Sequence, residues 1–473
     1  MANYSNHLQS HFIFSEIAES AKKLGLETYV IGGFVRDTLL KRPSKDIDFV
    51  CVGDGLALAK KVASKLKGNK SVSYYKTYGT AAITHNQWQY EFVGARKESY
   101  SVDSRNPVVE NGSLSDDQKR RDFTINALAI SLNADNYGEL IDPFDGEKDL
   151  KNKTIRTPLK PEITFSDDPL RIMRAIRFAS QLSFDIEPDT FEAIQKNVPR
   201  LAIVSQERIT DELNKIIMSE KPSYGFQLLY HVGILEMIFP EIVALAGVET
   251  IDDKSHKDNF FHTLKVLDNV AKVSENLWLR WSAILHDIAK PKTKRFHPKR
   301  GWTFHGHEDK GAKMVPGIFR RLRLPLNNKM DFVKKLVRLH LRPIALVKDE
   351  ITDSAVRRLL FESGDDVEDL MKLCRADITS KNHEKVQRYL SNFDKVDRKL
   401  QDVEKKDKIR NFQPPISGDV IIKTLDIQPS KVIGEIKEDI KEAILEGRIR
   451  NNYEEAFDLM LRLAEKRQIK KRK

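Results

Sequence analysis

IGGFVRDTLLKRPSKDIDF, residues Ile31–Phe49, is the stretch on which the reading of the whole chain turns. Asp46 and Asp48 flank Ile47 in an apolar, strand-like run. Alternation along a strand puts both carboxylates on one face and Ile47 on the other, toward a core. Two carboxylates a few ångströms apart repel each other unless a cation sits between them, so the pair reads as a Mg²⁺ site. Just upstream, Gly32-Gly33 lets backbone amides approach an anion closely. Arg36 follows in the helix-like VRDTLL, within reach of phosphate oxygens. Together these supply a metal, a triphosphate cradle and a helix N-terminus aimed at it. Either half alone has a blander reading: a Gly-Gly turn, or a solvated strand edge. It is their conjunction that points to nucleotide chemistry.

Outward from this stretch, ETYVIGG, KDIDFVCVG, GTAAITH, QYEFVGA and YGELIDPF alternate or run apolar between Gly, Asn and Asp, and read as strands. Residues 12–24 and 55–67 carry helical spacing, which predicts an α+β head. From Asp167 onward LRIMRAIRFASQL, PDTFEAIQKNV, ERITDELNKIIM and SYGFQLLYHVGILEMIF place apolar residues three and four apart, and the remainder reads as almost entirely helical. The expected organisation is a head over 1–160, a helical neck over 161–242, a further all-α domain over 243–385 and a helical tail over 386–473.

The 473 residues include 80 basic and 69 acidic side chains, a net charge of +11 that suits a polyanionic partner. About half of that excess sits in the last eight residues, KRQIKKRK. No stretch approaches ~18 consecutive apolar residues, so no membrane span is expected. The opening MANYSNHLQS has no basic-then-apolar pattern of a secretory signal. Cys51 and Cys374 make no disulfide framework, and a reducing cytoplasm is the simplest setting.

GGFVRDTLL with KDIDFV, then RRDFTINALAI at 120–130, DPFDGEKDL at 142–150 and DDPLRIMRAIRFA at 167–179 resemble, in order, the class II tRNA nucleotidyltransferase and bacterial poly(A) polymerase superfamily. The resemblance implies a polymerase-β-like head performing two-metal nucleotidyl transfer, with Asp46 and Asp48 as Mg²⁺ ligands. It implies phosphate contacts for Gly32, Gly33 and Arg36, and ribose and triphosphate contacts for Arg121, Asp122 and Asn126. A third carboxylate usually completes such a site. Glu91 in QYEFVGARKESY is the first candidate and Asp122 in RRDFT the alternative.

Asp168 and Arg171 lie three apart in a predicted helix, where their side chains point the same way and an ordinary ion pair is the simple reading. The resemblance instead matches DDPLR to the family's EDxxR element, which reads the incoming base. A carboxylate accepts from the exocyclic amine of cytosine or adenine while a guanidinium donates to the adjacent ring nitrogen. Uracil and guanine invert that order and would strand two buried groups, at ~1–3 kcal/mol each. Arg174 and Arg177 continue the helix, and the resemblance gives them nucleotide contacts too. Position 167 is Asp where the family usually has Glu.

Most of the 12 histidines fall between His256 and His340. HKDNFFHTL, LHDIAKPK, FHGHEDKG, RLHLRP and CRADI resemble the HD phosphohydrolase superfamily. That resemblance implies His262, His286, Asp287 and Asp377 as ligands. Such a donor set suits Mn, Ni, Co, Fe or Zn more than magnesium. His305, His307 and His340 are further imidazoles for a second metal or a phosphate. The segment after residue 385 resembles the C-terminal helices of bacterial members in outline.

The expected function is template-independent addition or repair of the 3′-terminal CCA of tRNA from CTP and ATP, with the tRNA 3′ end as partner and no DNA or membrane involved. Alternatives are a poly(A) polymerase, a CC- or A-adding enzyme, or a phosphohydrolase with a nucleotide-sensing head.

Overall fold

The computed structural model describes residues 3–75, 79–101, 104–348, 352–380, 382–407, 409–410 and 412–469. The last four residues of the basic tail thus lie outside the described residues. The chain forms two compact units, Met1–Met237 and Ile238–Lys473.

Among the described residues the first unit has eleven strands: β1 Glu27–Ile31, β2 Asp46–Val52, β3 Lys70–Tyr75, β4 Thr80–His85, β5 Trp88–Gly94, β6 Arg96–Ser101, β7 Ser104–Asn111, β8 Ala129–Ser131, β9 Leu140–Ile141 and the short parallel pair β10 Thr154–Ile155 and β11 Asp185–Ile186. Seven make one sheet in the order β3-β4-β5-β2-β1-β8-β9, and β6 pairs with β7 as a separate hairpin. Neighbours in the sheet are antiparallel except β2 and β5. That parallel pair sets Asp48 opposite Glu91 and Asp46 opposite Gln89.

The helices Phe12–Leu24 and Gly55–Lys65 pack on the sheet through Ile13, Phe14, Ile17, Leu58, Ala59 and Val62, all buried. The first ends at Gly25 in the left-handed conformation (φ 65°) that favours glycine. The second starts at Asp54, whose carboxylate accepts from the amides of Leu56 and Ala57. Between them Phe49 stacks on Phe92, with centroids 5.2 Å apart, and meets Phe14 edge-on at 5.9 Å.

The apolar runs quoted from the sequence all appear as strands. Six further strands, β3, β6, β7, β8 and the short pair β10 and β11, are not among those runs. The edge strand β3 (KSVSYY) is exposed along most of its length, while the wholly buried β8 sits inside the continuous run INALAIS. The hairpin β6–β7 (RKESYS and SRNPVVEN) shows no two-residue alternation of apolar and polar residues.

Beyond the sheet, the helix Leu170–Leu182 buries Ile172, Met173, Ala175 and Ile176, and packs against Gln206–Ile217. SYGFQLLYHVGILEMIF reads as one continuous run but breaks at Gly233 (φ 80°) into Pro222–His231 and Ile234–Ile238.

Among its described residues the second unit is helical apart from loops and two short hairpins, Thr250–Ile251 with Lys254–Ser255 and Arg295–His297 with Gly301–Thr303. Asn259–Ala271, Leu277–Leu285, His307–Arg321, Asn328–Leu339 and Val367–Ala376 enclose a core in which Trp281, fully buried, meets Phe239 and Phe319. The division expected at residue 385 falls inside one continuous helix, His383–Asp407. Among the described residues no helix is long and apolar enough to cross a membrane.

Candidate functional site

In the first unit the strand alternation of β2 places Ile47 in the core, 1% exposed, and turns Asp46 and Asp48 to the opposite face. Glu91 joins them from the adjacent parallel strand at the register position facing Asp48. Burial pushes the Asp48 carboxyl up from its usual range; Asp46 and Asp117 add to this and Arg121 opposes it. Burial likewise raises Glu91, reinforced by the Asp48 charge. Three oxygen-donor carboxylates that repel one another in this way suit a hard divalent cation. Asp122, the alternative third carboxylate, is engaged elsewhere.

Gly32 ends β1 at φ 83° and ψ −135°, a conformation open essentially to glycine alone. A Cβ there would stand 2.9 Å from Arg121 Nη1 and 3.4 Å from Asp48 Oδ2. The glycine therefore brings backbone directly against the carboxylate edge. Gly33 opens the helix Gly33–Leu39.

From this helix Arg36 Nη1 donates to Asn126 Oδ1 (2.8 Å), and Asn126 Nδ2 donates to Asp122 Oδ1 (3.0 Å). Asp122 Oδ2 accepts from Arg174 Nε (2.7 Å). Burial alone would raise Asp122, but Arg174 and Asn126 outweigh it and hold it at about 2. The guanidinium carbons of Arg36, Arg174 and Arg177 lie 5.1, 5.5 and 4.0 Å from the Phe178 ring centre. Arg121 Nε donates to Asp117 Oδ2 at 3.1 Å, and Arg177 Nε pairs with Glu212 Oε2 at 2.5 Å. The sheet and the helix thus gather Gly32, Arg36, Arg121, Asp122, Asn126, Arg174 and Arg177 into linked groups. Arranged guanidiniums of this kind bind phosphates.

Sequence reading missed Asp117, Phe178 and Glu212. Asp117 has a local signal, because it precedes Arg120 and Arg121 by one helical turn. Glu212 has none, as it lies in a charged helix that only folding brings to Arg177.

Asp168 and Arg171 differ from expectation. Asp168 is not helical: it has extended backbone (φ −137°, ψ 99°) after Pro161–Asp167, and its Oδ1 accepts from the Leu170 amide at 3.1 Å. Pro169 disfavours helical geometry in the residue before it, so the helix restarts beyond it. Arg171 is buried at 8% exposure and donates to the backbone oxygens of Arg120 (2.6 Å) and Thr164 (3.4 Å). The two do not form the simple ion pair. The Arg171 guanidinium is fixed by backbone, while the Asp168 carboxylate accepts from the Leu170 amide and adds its charge to those facing Arg174.

The second unit assembles His262, His286, Asp287, His307, His340 and Asp377 from separate helices and their ends. His262 Nε2 lies 2.9 Å from Asp377 Oδ1 and 3.5 Å from Asp287 Oδ2, and His286 Nε2 lies 3.1 Å from Asp287 Oδ2. Despite that proximity, His286 Nε2 is buried and makes no hydrogen bond of good geometry. Burial would raise both aspartates, but the neighbouring imidazoles hold them below the usual carboxylate range, with Asp377 at about 2. Burial lowers His340 to about 4. His305, grouped in the sequence with His307 and His340, is exposed and outside the cluster. Imidazole and carboxylate donors around an unpartnered ring nitrogen fit a divalent transition metal.

Matches to three family models follow in chain order: the Poly A polymerase head domain over residues 28–156, the probable RNA and SrmB-binding site of polymerase A over 183–245, and the HD domain over 259–397. A Multifunctional CCA protein of Nitrosococcus oceani is 34% identical over 315 residues, covering 63% of this chain and 71% of that protein. An A-adding tRNA nucleotidyltransferase of Deinococcus radiodurans is 32% identical over 356 residues, 74% of this chain and 75% of that protein. The fold resembles the Bacillus stearothermophilus CCA-adding enzyme in complex with CTP, with a TM-score of 0.68 at 24% identity over 96% of this chain and 98% of that one. It also resembles the Thermotoga maritima CCA-adding enzyme complexed with tRNA, at 0.60 and 22% over 98% and 99%.

A nucleotidyltransferase head with an HD domain behind it is the class these observations define. Both parts are of kinds that depend on divalent metal. More narrowly, the chain belongs to the tRNA nucleotidyltransferase and poly(A) polymerase family that contains the Multifunctional CCA proteins.

Proposed function

We propose that this protein adds or repairs the 3′-terminal CCA of tRNA, using CTP and ATP without a nucleic-acid template. The observation that carries the proposal is the alignment of Asp46, Asp48 and Glu91 on β2 and β5, beside the Gly32 backbone and the Arg36–Asn126–Asp122–Arg174 chain. In each cycle the tRNA 3′-oxygen attacks the α-phosphorus of the nucleotide, the bond to the β-phosphate oxygen breaks, and pyrophosphate leaves. Asp46, Asp48 and Glu91 hold Mg²⁺, which when bound lowers the pKa of the 3′-hydroxyl and offsets charge on the leaving pyrophosphate. Gly32, Gly33, Arg36 and Arg121 receive the triphosphate, and Asp117 aims the Arg121 guanidinium. Asp122 and Asn126 orient Arg36 and Arg174 toward the nucleotide, with Arg177 beside them. Asp168 and Arg171 read the base edge, which favours cytosine and adenine over uracil and guanine.

In the same reading, residues 1–160, 161–242, 243–385 and 386–473 serve as head, neck, HD domain and tail. His262, His286, Asp287 and Asp377 hold one Mn, Ni, Co, Fe or Zn ion for phosphohydrolase chemistry, and the protein works in the cytoplasm.

A second reading, addition of the terminal A alone, is favoured by the Deinococcus relative, whose similarity spans more of this chain than that of the CCA proteins. Single-nucleotide incorporation onto tRNA transcripts ending at the discriminator base, at C and at CC separates the two. CTP use on the first two and one ATP on the third supports CCA addition. ATP use on the third alone supports A addition, and long ATP-only tails on any RNA refute both.

A further inference from the structure

Phe178 sits on the helix Leu170–Leu182 at 6% exposure, with its ring edge-on to that of Phe123 at 5.8 Å between centroids. Burial alone asks only for an apolar side chain there, and leucine would serve as well. Three positive charges nevertheless converge on this ring. The guanidinium carbons of Arg177, Arg36 and Arg174 stand over it at 4.0, 5.1 and 5.5 Å from its centre. Arg174 and Arg177 come from the same helix, whereas Arg36 arrives from Gly33–Leu39.

Each guanidinium has a carboxylate of its own. Arg36 Nη2 lies 2.8 Å from Asp37 Oδ2, Arg174 Nε 2.7 Å from Asp122 Oδ2 and Arg177 Nε 2.5 Å from Glu212 Oε2. These partners stand on separate segments, so they anchor the three charges one by one without drawing them together. Like charge works against gathering: burial lowers Arg177, and Arg174 and Arg36 lower it further, against Glu212 and Asp122. An aromatic face is negative at its centre and attracts cations, which an aliphatic side chain of equal burial cannot do. Contact through that face also leaves the in-plane N–H groups of a guanidinium to phosphate oxygens.

We propose that Phe178 is a positioning residue whose ring gathers Arg36, Arg174 and Arg177 into one preformed wall of donors for the incoming nucleoside triphosphate. This rests on the reading that these arginines receive the nucleotide. With the ring in place the triphosphate meets donors already collected. Without its attraction the three charges spread, and binding must first bring them back. The ring touches no reacting atom, so its effect falls on nucleotide affinity rather than on the chemical step.

The test replaces Phe178 in the full chain with phenylalanines carrying one, two and three ring fluorines. These keep the ring's shape and apolar character while draining its negative face step by step. CTP affinity, measured by calorimetry with Mg²⁺ present, is expected to fall progressively, by about tenfold across the series. KM for CTP should rise in parallel while kcat and the melting temperature hold. Phe178→Leu, which fills the site without an aromatic face, should weaken CTP binding at least as much as three fluorines do. Equal CTP affinity across the fluorinated series overturns the role of the ring, as does a loss that tracks a falling melting temperature, for packing then explains it. An unmodified chain that binds no CTP overturns instead the reading of the nucleotide site on which the proposal stands.

Discussion

Asp122→Asn isolates one charge at the centre of the nucleotide-binding network. Asp122 is 6% exposed and accepts from Arg174 Nε, Asn126 Nδ2 and the Phe123 amide. Its carboxyl is held at about 2 against an ordinary 3.8, although burial alone would raise it. That depression corresponds to about 2 kcal/mol of stability at neutral pH. Because the folded pKa lies below the unfolded one, the contribution is complete above pH ~4 and is lost as pH falls toward 2, with roughly half gone by pH 3. The amide substitution keeps the size of the side chain and removes the charge. Urea unfolding of the full chain, followed by hydrogen exchange in peptides covering 114–130 and 170–182, is expected to show a deficit of about 2 kcal/mol at pH 7 that shrinks to about 1 at pH 3. CTP affinity falls as well, because Arg174 loses its orienting partner. A deficit under about 0.5 kcal/mol, or one equal at both pH values, would refute the assignment of that energy to the charge.

Asp46→Ala or Asp48→Ala should abolish nucleotide transfer while leaving hydrolysis by the second unit intact; parallel loss of both activities in a folded variant would contradict separate sites. Gly32→Ala forces a Cβ to 2.9 Å from Arg121 Nη1 in glycine-only backbone. It should cost about 1–3 kcal/mol in stability and lower kcat at least about tenfold, and an unchanged melting temperature would show that the loop is less constrained than its angles imply. Arg171→Ala should relax discrimination against UTP and GTP in competition assays with CTP; unchanged selectivity would confine Arg171 to its bonds with the backbone of Arg120 and Thr164.

Strand periodicity alone placed Asp46 and Asp48 on one face with Ile47 in the core, because a two-residue repeat leaves no other arrangement. Helical spacing likewise located Phe12–Leu24, Gly55–Lys65 and Leu170–Leu182. The pairing of Glu91 with Asp48 was open in the sequence, where Asp122 competed for the role. Which strand lies beside β2, and in which register, depends on long-range backbone hydrogen bonds that no local pattern encodes. The extended backbone of Asp168 shows a local cue overlooked, for the proline after it disfavours the helix there. The edge strand β3 stayed hidden because a strand exposed along most of its length buries too little to leave a period, and the β6–β7 sequences RKESYS and SRNPVVEN carry no two-residue alternation. In the second unit the histidines were visible as a crowd along the chain. Their gathering around Asp287 was not, because tertiary packing of separate helices alone decides which of them meet there.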